Sequence, residues 1–253
     1  MPGRIRTFGA PLALAAILAA GPALAADVNG AADAKIETQT KVITSKSETV
    51  PPATTGAAIV EELDDARETV RGATAAIAEM KKNAELAGAL QRAKGILIVP
   101  EFTKGALIIG GWGGEGVLLS HQGSAWAGPA FYDVGAVTAG AEIGFTSGTM
   151  AFLLMTDRAV DAFRTEDTFS MSANAEMTVV DFSKQFKLST DKSDVVVWSD
   201  TEGAFVGAGG SLSDVNWDAE ANNAYYRQNV TASQVLDGHV KSESTVLVDA
   251  IAG

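Results

Sequence analysis

A glycine-rich, apolar stretch, residues 94–148, is the part of this chain whose residue types and spacing are most informative about its chemistry. This stretch holds 13 of the chain's 26 glycines. Within it, residues 111–116 read Gly-Trp-Gly-Gly-Glu-Gly, which matches the G-x-G-x-x-G fingerprint of dinucleotide phosphate sites. That chemistry requires a helix after the last glycine, so that its N-terminal amides meet the phosphates. Residues 117–120 instead read as a strand, so we predict a glycine-rich bend between strands and no nucleotide or other cofactor.

Basic residues flank the same stretch and suggest a different chemistry, the binding of phosphate. Between residues 81 and 104 five basic residues face two acidic ones, which gives a local charge of +3. Lysine and arginine donate charged hydrogen bonds to phosphate oxygens, and glycine amides and a tryptophan ring can approach the same headgroup. We therefore predict a lipid-binding site made of Lys81, Lys82, Arg92, Lys94, Lys104 and Trp112. Solvated charges at a helix–strand junction explain the same residues equally well.

Acidic residues near the C-terminal end suggest calcium but match it poorly. Residues 214–220 place Asp, Asn, Asp and Glu at alternate positions, like the first half of a calcium loop. Ala219 and Tyr225 occupy the positions where such a loop needs glycine and glutamate. We interpret Asp218 as a helix N-cap and leave open whether a weak calcium site exists there. The two histidines lie in unrelated contexts, and no metal set or nucleophile elbow accompanies them, so we predict neither a metal site nor an enzyme.

Hydrophobic periodicity predicts the elements that would position these residues. Apolar residues in steps of four and three from Ile59 to Met80 predict a long helix packed on the domain, and a short helix over 84–93 follows. Apolar or alternating runs predict strands at residues 96–99, 106–109, 117–119, 131–138, 141–145, 150–155, 169–179, 195–198 and 204–207. Further helices are predicted from Asp157 to Phe163, from Asp218 to Leu236, and from Ser244 to Ile251.

This order of elements predicts an α+β fold. N-terminal helices would precede a curled antiparallel, barrel-like, glycine-rich β-sheet, and a C-terminal helix would close the domain. We expect residues 57–253 to form this single domain and the polar residues 26–56 to form a disordered tail.

The first 25 residues resemble an export signal. Arg4 and Arg6 precede an apolar segment, and Ala23-Leu24-Ala25 offers a cleavage site, so we predict a signal peptide over residues 1–25 and a periplasmic or secreted location. Cysteine is absent, so neither disulfides nor thiolate metal sites contribute. Cleavage would take the formal charge from −12 to −14, which repels nucleic acid at long range.

Several motifs in order resemble the SYLF domain, a lipid-binding module of bacteria and eukaryotes. They are Ala93-Lys94-Gly95-Ile96, the glycine run 110–116, Trp126-Ala127-Gly128-Pro129, Glu142-Ile143-Gly144, Val197-Trp198-Ser199 with Glu202-Gly203-Ala204-Phe205, and Asn223-Ala224-Tyr225-Tyr226. The resemblance covers residues 58–238. It departs from the family at Glu142, where glutamine is usual, and after Met177, where a Gly-Pro-x-Gly-Arg turn is missing.

The resemblance implies a non-enzymatic module that binds phospholipid at a membrane surface, with peripheral attachment in the bacterial envelope. Eukaryotic members are actin-associated and bind phosphoinositides. The alternative is a protein–protein scaffold of the envelope without lipid specificity, in which Trp112, Trp126 and Tyr225 would form an exposed aromatic patch.

Overall fold

The protein combines six helices with one eight-stranded sheet in the residues that the structure describes. This computed structural model describes residues 56–106, 109–139, 144–165, 168–170, 179–181, 193–201, 214–242 and 244–253. The helices are α1 (Gly56–Met80), α2 (Ala84–Arg92), α3 (Asp157–Thr165), α4 (Ala219–Tyr226), α5 (Ala232–Leu236) and α6 (Val246–Ala252). The strands are β1 (Gly95–Ala106), β2 (Ile109–Gln122), β3 (Ala125–Ala139), β4 (Gly144–Leu154), β5 (Thr168–Phe169), β6 (Val179–Asp181), β7 (Val195–Ser199) and β8 (Asp214–Trp217).

The sheet order is β5-β8-β3-β2-β1-β4-β7-β6. Every neighbouring pair is antiparallel except β6 with β7, which is parallel. The predicted α+β class with N-terminal and C-terminal helices around an antiparallel sheet is confirmed. Among the described strands β5 and β6 stand at the two edges, so this part of the sheet is open rather than closed like a barrel.

Helix α1 packs its apolar stripe on the domain, as predicted. The buried side chains run from Ala66 to Met80, and Ile77 and Met80 have no exposed surface. Full burial of such a side chain stabilises a fold by roughly 1.5–3 kcal/mol, so this half of the helix is firmly held against β1, β2, α4 and α6. The first turns differ from the prediction, because Ile59 is 46% exposed and Leu63 is only partly buried.

The glycine run, residues 111–116, differs most from the structure predicted from the sequence. Residues 111–116 form no bend between strands but lie inside β2, where they pair with residues 132–137 of β3. Strand β1 instead carries the irregularity, with its register to β2 shifted between Ile98 and Thr103. A Cβ atom on Gly114 would lie 2.5 Å from the carbonyl oxygen of Glu101. Glycine is therefore needed here because the irregular part of β1 approaches the backbone of β2 closely.

The predicted helix from Asp218 to Leu236 is two helices. Asp218 does cap α4, since its carboxylate accepts from the backbone N–H of Ala221 at 2.9 Å. Arg227 then adopts a left-handed conformation with φ 53°, which ends α4. Thr231 and Gln234 form a reciprocal capping box that starts α5, a Thr-x-x-Gln signature visible in the sequence. Gly238 has the positive φ, 73°, expected of a residue that follows a helix end.

Asn222 joins α4 to the sheet at the point where strand β8 stops. Its amide nitrogen donates to the carbonyl oxygen of Phe131 at 2.8 Å, and its amide oxygen accepts from the N–H of Phe131 at 3.1 Å. The N–H of Asp218 also donates to the same carbonyl. The Asn222 side chain, with no exposed surface, thus continues the β3–β8 ladder by one further rung.

Several predictions fall on residues outside the described part of the chain. These are the signal peptide over 1–25, the tail up to residue 55, the middle of the strand predicted at 169–179, the strand at 204–207, and the departures at Glu142 and after Met177. Among the described residues, no helix has the length and apolar character needed to cross a bilayer.

We expect Gly114→Ala to destabilise the domain by about 1–3 kcal/mol, because the new methyl group would overlap backbone atoms of β1. Gly88→Ala is the matched control, since Gly88 lies inside α2 and its added methyl would meet only the Arg92 guanidinium at 3.5 Å. This control should stabilise by about 0.5–1 kcal/mol through helix propensity. Urea unfolding followed by circular dichroism measures both, and equal stability of the two variants would contradict the close approach.

We expect Asn222→Ala to cost about 1–3 kcal/mol, because the buried N–H of Phe131 loses its acceptor. Asn229→Ala removes the same side chain from an exposed position and should change stability by less than about 0.5 kcal/mol. Hydrogen exchange at the Phe131 amide provides a local readout. An amide that stays protected in Asn222→Ala would show that the side chain is not its acceptor.

Candidate functional site

The predicted basic residues do not converge on one pocket. Lys81 is partly buried, and its ammonium group donates to the carbonyl oxygen of Ala250 at 2.6 Å, which ties the end of α1 to α6. Lys82, in the turn after α1, is exposed and pairs with Glu79 near the end of that helix. Lys81 therefore has a structural contact that the sequence pattern does not indicate.

Helix α2 separates the remaining basic residues. Lys82 precedes this nine-residue helix, while Arg92 ends it and Lys94 follows it; all three are exposed. At about 1.5 Å per residue the helix alone is about 13 Å long. The three exposed side chains thus stand at the two ends of α2, Lys82 at its start and Arg92 and Lys94 at its end, and we call this set the basic edge. Lys104 lies in β1, paired with Trp112 and Thr146, and its side chain is outside the described part.

Trp112 is in the core, which contradicts its predicted place beside a lipid headgroup. Only 5% of the residue is exposed. Its ring stacks on Phe152 at a centroid distance of 6.1 Å and meets Phe102 edge-on at 6.4 Å. Its indole N–H is buried without a hydrogen-bond partner among the described residues. The large ring fills space on β2 between glycines, so its role is packing.

The predicted aromatic patch for protein partners is also not formed. Tyr225 is 5% exposed and packs between Phe131 and Tyr226, and only Trp126 is partly exposed, stacked on His121. Burial raises the pKa of the neighbouring Tyr226, with Tyr225 adding to the effect. The Tyr226 hydroxyl therefore stays protonated and donates to the carbonyl oxygen of Pro129 at 2.9 Å.

A groove beside α1 is lined by both charged and apolar side chains. Its volume is about 420 Å³, and it lies between α1, the end of α4 and the start of α6. The lining residues are Leu63, Arg67, Val70, Arg71, Thr74, Tyr225, Ser244 and Val246. We call it the arginine groove, because Arg67 and Arg71 are its charged members.

The walls of the arginine groove are held by side-chain hydrogen bonds. The Tyr225 hydroxyl hydrogen-bonds the Ser242 hydroxyl at 3.1 Å, which fixes the segment before α6 against α4. Asn222 anchors α4 to β3, and Lys81 anchors the end of α6 to α1. The groove is therefore a product of helix docking on the sheet and not of a single mobile loop.

Arg67 and Arg71 are one helical turn apart, where side chains are neighbours on one face. Arg67 pairs with Asp64 at 3.3 Å, and both side chains are largely solvated, so this pair holds little energy. Arg71 is exposed and has no ion pair recorded with any described residue. Both residues are hidden in the sequence because residues 61–68 hold five acidic residues against the single Arg67. Their spacing of four beside Leu63 and Val70 is the signal that could have found them.

Three acidic side chains come together elsewhere, at the end of β8. Carboxylate oxygens of Glu115, Asp133 and Asp218 lie within 4.8 Å of one another. Asp218 already uses its carboxylate to cap α4, which gives this cluster a structural role. The residues predicted to alternate in a calcium loop instead alternate along strand β8 up to Trp217.

Comparisons with known proteins now identify the domain. Residues 135–253 match the Ysc84 family model, described as "Las17-binding protein actin regulator". LAS seventeen-binding protein 3 of Saccharomyces cerevisiae is 25% identical over 163 residues, which are 62% of this chain and 35% of that protein. SH3 domain-containing YSC84-like protein 1 of Homo sapiens is 24% identical over 153 residues, 59% of this chain and 44% of the relative.

The chain thus spans between a third and a half of the length of these relatives. The matched region contains Tyr225 of α4 and Ser244 and Val246 at the start of α6, which line the arginine groove opposite α1. The relationship predicted from the sequence motifs is confirmed, and residues 135–253 belong to the Ysc84 family of SYLF domains.

Proposed function

We propose that this protein is a non-catalytic module that binds phospholipid at a membrane surface of the bacterial envelope. The observation that carries the proposal is the basic edge at the two ends of α2. Its three cationic side chains are exposed in a protein whose formal net charge is −12.

The electrostatic attraction expected between the basic edge and an anionic membrane is of a size that fits peripheral, reversible attachment. A basic residue near an anionic membrane contributes about 1 kcal/mol, so the basic edge supplies about 3 kcal/mol at most. The acidic remainder of the protein opposes this attraction at long range, but it is screened beyond a Debye length of about 8 Å at physiological salt. A second contact with the lipid is therefore needed for firm binding, as for other peripheral proteins.

The described residues support a binding role better than a catalytic one. Ser120 donates to the buried carbonyl oxygen of Leu236, and His121 stacks on Trp126, so both side chains have packing contacts that favour structural roles over those of a nucleophile and its base. The names of the relatives also describe binding proteins.

A protein partner is the second candidate, because a relative carries the name LAS seventeen-binding protein. Its support in this chain is the pair of exposed apolar residues Ile59 and Val60 at the start of α1. Trp112 and Tyr225 of the aromatic patch expected for such a partner are buried and Trp126 is partly exposed, which makes lipid the stronger proposal.

We expect Arg92→Glu/Lys94→Glu to reduce flotation with phosphatidylglycerol vesicles by at least about fivefold, because two attractive charges become repulsive. Binding of the unchanged protein should fall as salt rises. The assay is density-gradient flotation of the purified chain at 50 and 300 mM salt.

Arg92→Glu and Arg227→Glu form a matched pair, since both replace one exposed arginine but only Arg92 belongs to the basic edge. Equal flotation of these two variants would remove the basic edge from the binding surface. Failure of the unchanged protein to float with any anionic vesicle would refute the proposed function itself.

A further inference from the structure

We propose that the arginine groove binds one anionic phospholipid. Arg67 and Arg71 would pair with the phosphodiester, and the apolar wall would receive the first part of an acyl chain. This inference rests on the proposed function and supplies the second contact that the basic edge requires. It names a site distinct from the residues that the sequence predicted.

The charge of the groove matches a phosphodiester. The arginines contribute two positive charges, and Asp64, paired with Arg67, offsets one of them. Among the groove-lining residues and their ion-pair partner, a single net positive charge remains for a ligand group that carries a single negative charge. Glu61, Glu62, Asp65 and Glu68 also lie on this half of α1 but do not line the groove. Two guanidinium groups one turn apart can also donate in parallel to phosphate oxygens, which an ammonium group does less well.

Three apolar side chains in or near the groove are more exposed than the other large hydrophobic residues in the described part of the chain. Ile59, Val60 and Val246 are the large hydrophobic residues that the described part of the chain leaves exposed. Val246 lines the groove and is 55% exposed, while Ile59 and Val60 lie about one turn from Leu63, which also lines it. Apolar surface beside two guanidinium groups suits a ligand that is charged at one end and apolar at the other.

The volume of the arginine groove fits part of a lipid molecule but not a whole one. About 420 Å³ is near the lower end of the range of ligand pockets, roughly 300–1,000 Å³. It has room for a headgroup phosphate and the start of a chain, while the rest of the lipid stays in the bilayer. A lipid bound in this way would place the α1–α6 side of the domain on the membrane.

The test uses dihexanoyl phosphatidylglycerol below its micelle concentration, titrated into the purified chain by calorimetry. We expect saturable binding at one site and weaker binding of dihexanoyl phosphatidylcholine. Arg67→Gln/Arg71→Gln should raise the Kd at least about tenfold, because two charged hydrogen-bond donors are lost. Arg227→Gln, the matched control at an exposed arginine outside the groove lining, should leave the Kd unchanged.

Two further variants separate binding from folding. Asp64→Asn should lower the Kd about twofold to fivefold, since Arg67 loses its competing partner, and no folding defect would produce tighter binding. Val246→Ser changes an exposed side chain and should raise the Kd about twofold to threefold.

Each contrary result has a definite meaning. An unchanged Kd in the double glutamine variant, or displacement of the lipid by inorganic phosphate at similar concentration, would overturn the groove assignment. A protein that floats with vesicles yet shows no saturable binding of the soluble lipid would refute the groove and leave the proposed function standing. A protein that does neither would refute both.

Discussion

The side-chain amide of Asn222 provides the contact on which the arrangement of the helices depends. Strand β8 ends at Trp217, and without a further partner the N–H of Phe131 would be buried and unsatisfied. Asn222 fills that place from the first turn of α4 and so fixes the helix against the sheet. Helix α1 packs on α4, and Tyr225 of α4 then holds the segment that leads into α6. One hydrogen-bonded amide thereby sets the spacing of three helices, and with it the arginine groove.

The elements that the sequence predicted best are those with a strong period or an unambiguous cap. The α1 stripe from Ala66 to Met80, the β7 strand and the Asp218 cap all have local causes, so the structure reproduces them. The sequence predicts a bend at the glycine run because glycine is common in turns. Its actual cause is nonlocal, since the carbonyl of Glu101 on another strand occupies the space that a Cβ of Gly114 would need. No pattern within residues 110–116 contains that information.

The candidate site residues show the same contrast: some could be identified from their neighbours in the sequence, while others depend on contacts with distant parts of the chain. Counting charges identified Arg92 and Lys94 as exposed basic residues, which they are. The sequence did not show that Lys81 reaches Ala250 across 169 positions of the chain, or that Trp112 packs on Phe152. Arg67 and Arg71 were hidden for the opposite reason. Their acidic neighbours dominated the local charge, and only the docked C-terminal segment shows that these two side chains face a groove.

The arginine groove is built from opposite ends of the described chain, with α1 on one side and α6 on the other. Helix α6 has only seven residues and buries two large side chains, Leu247 and Ile251, so it is among the more weakly held elements. Local opening of so short a helix would remove one side of the groove without requiring the central sheet to open. Occupancy would therefore be recorded as slower amide exchange in α6, a signal that would be absent from β1 and β2.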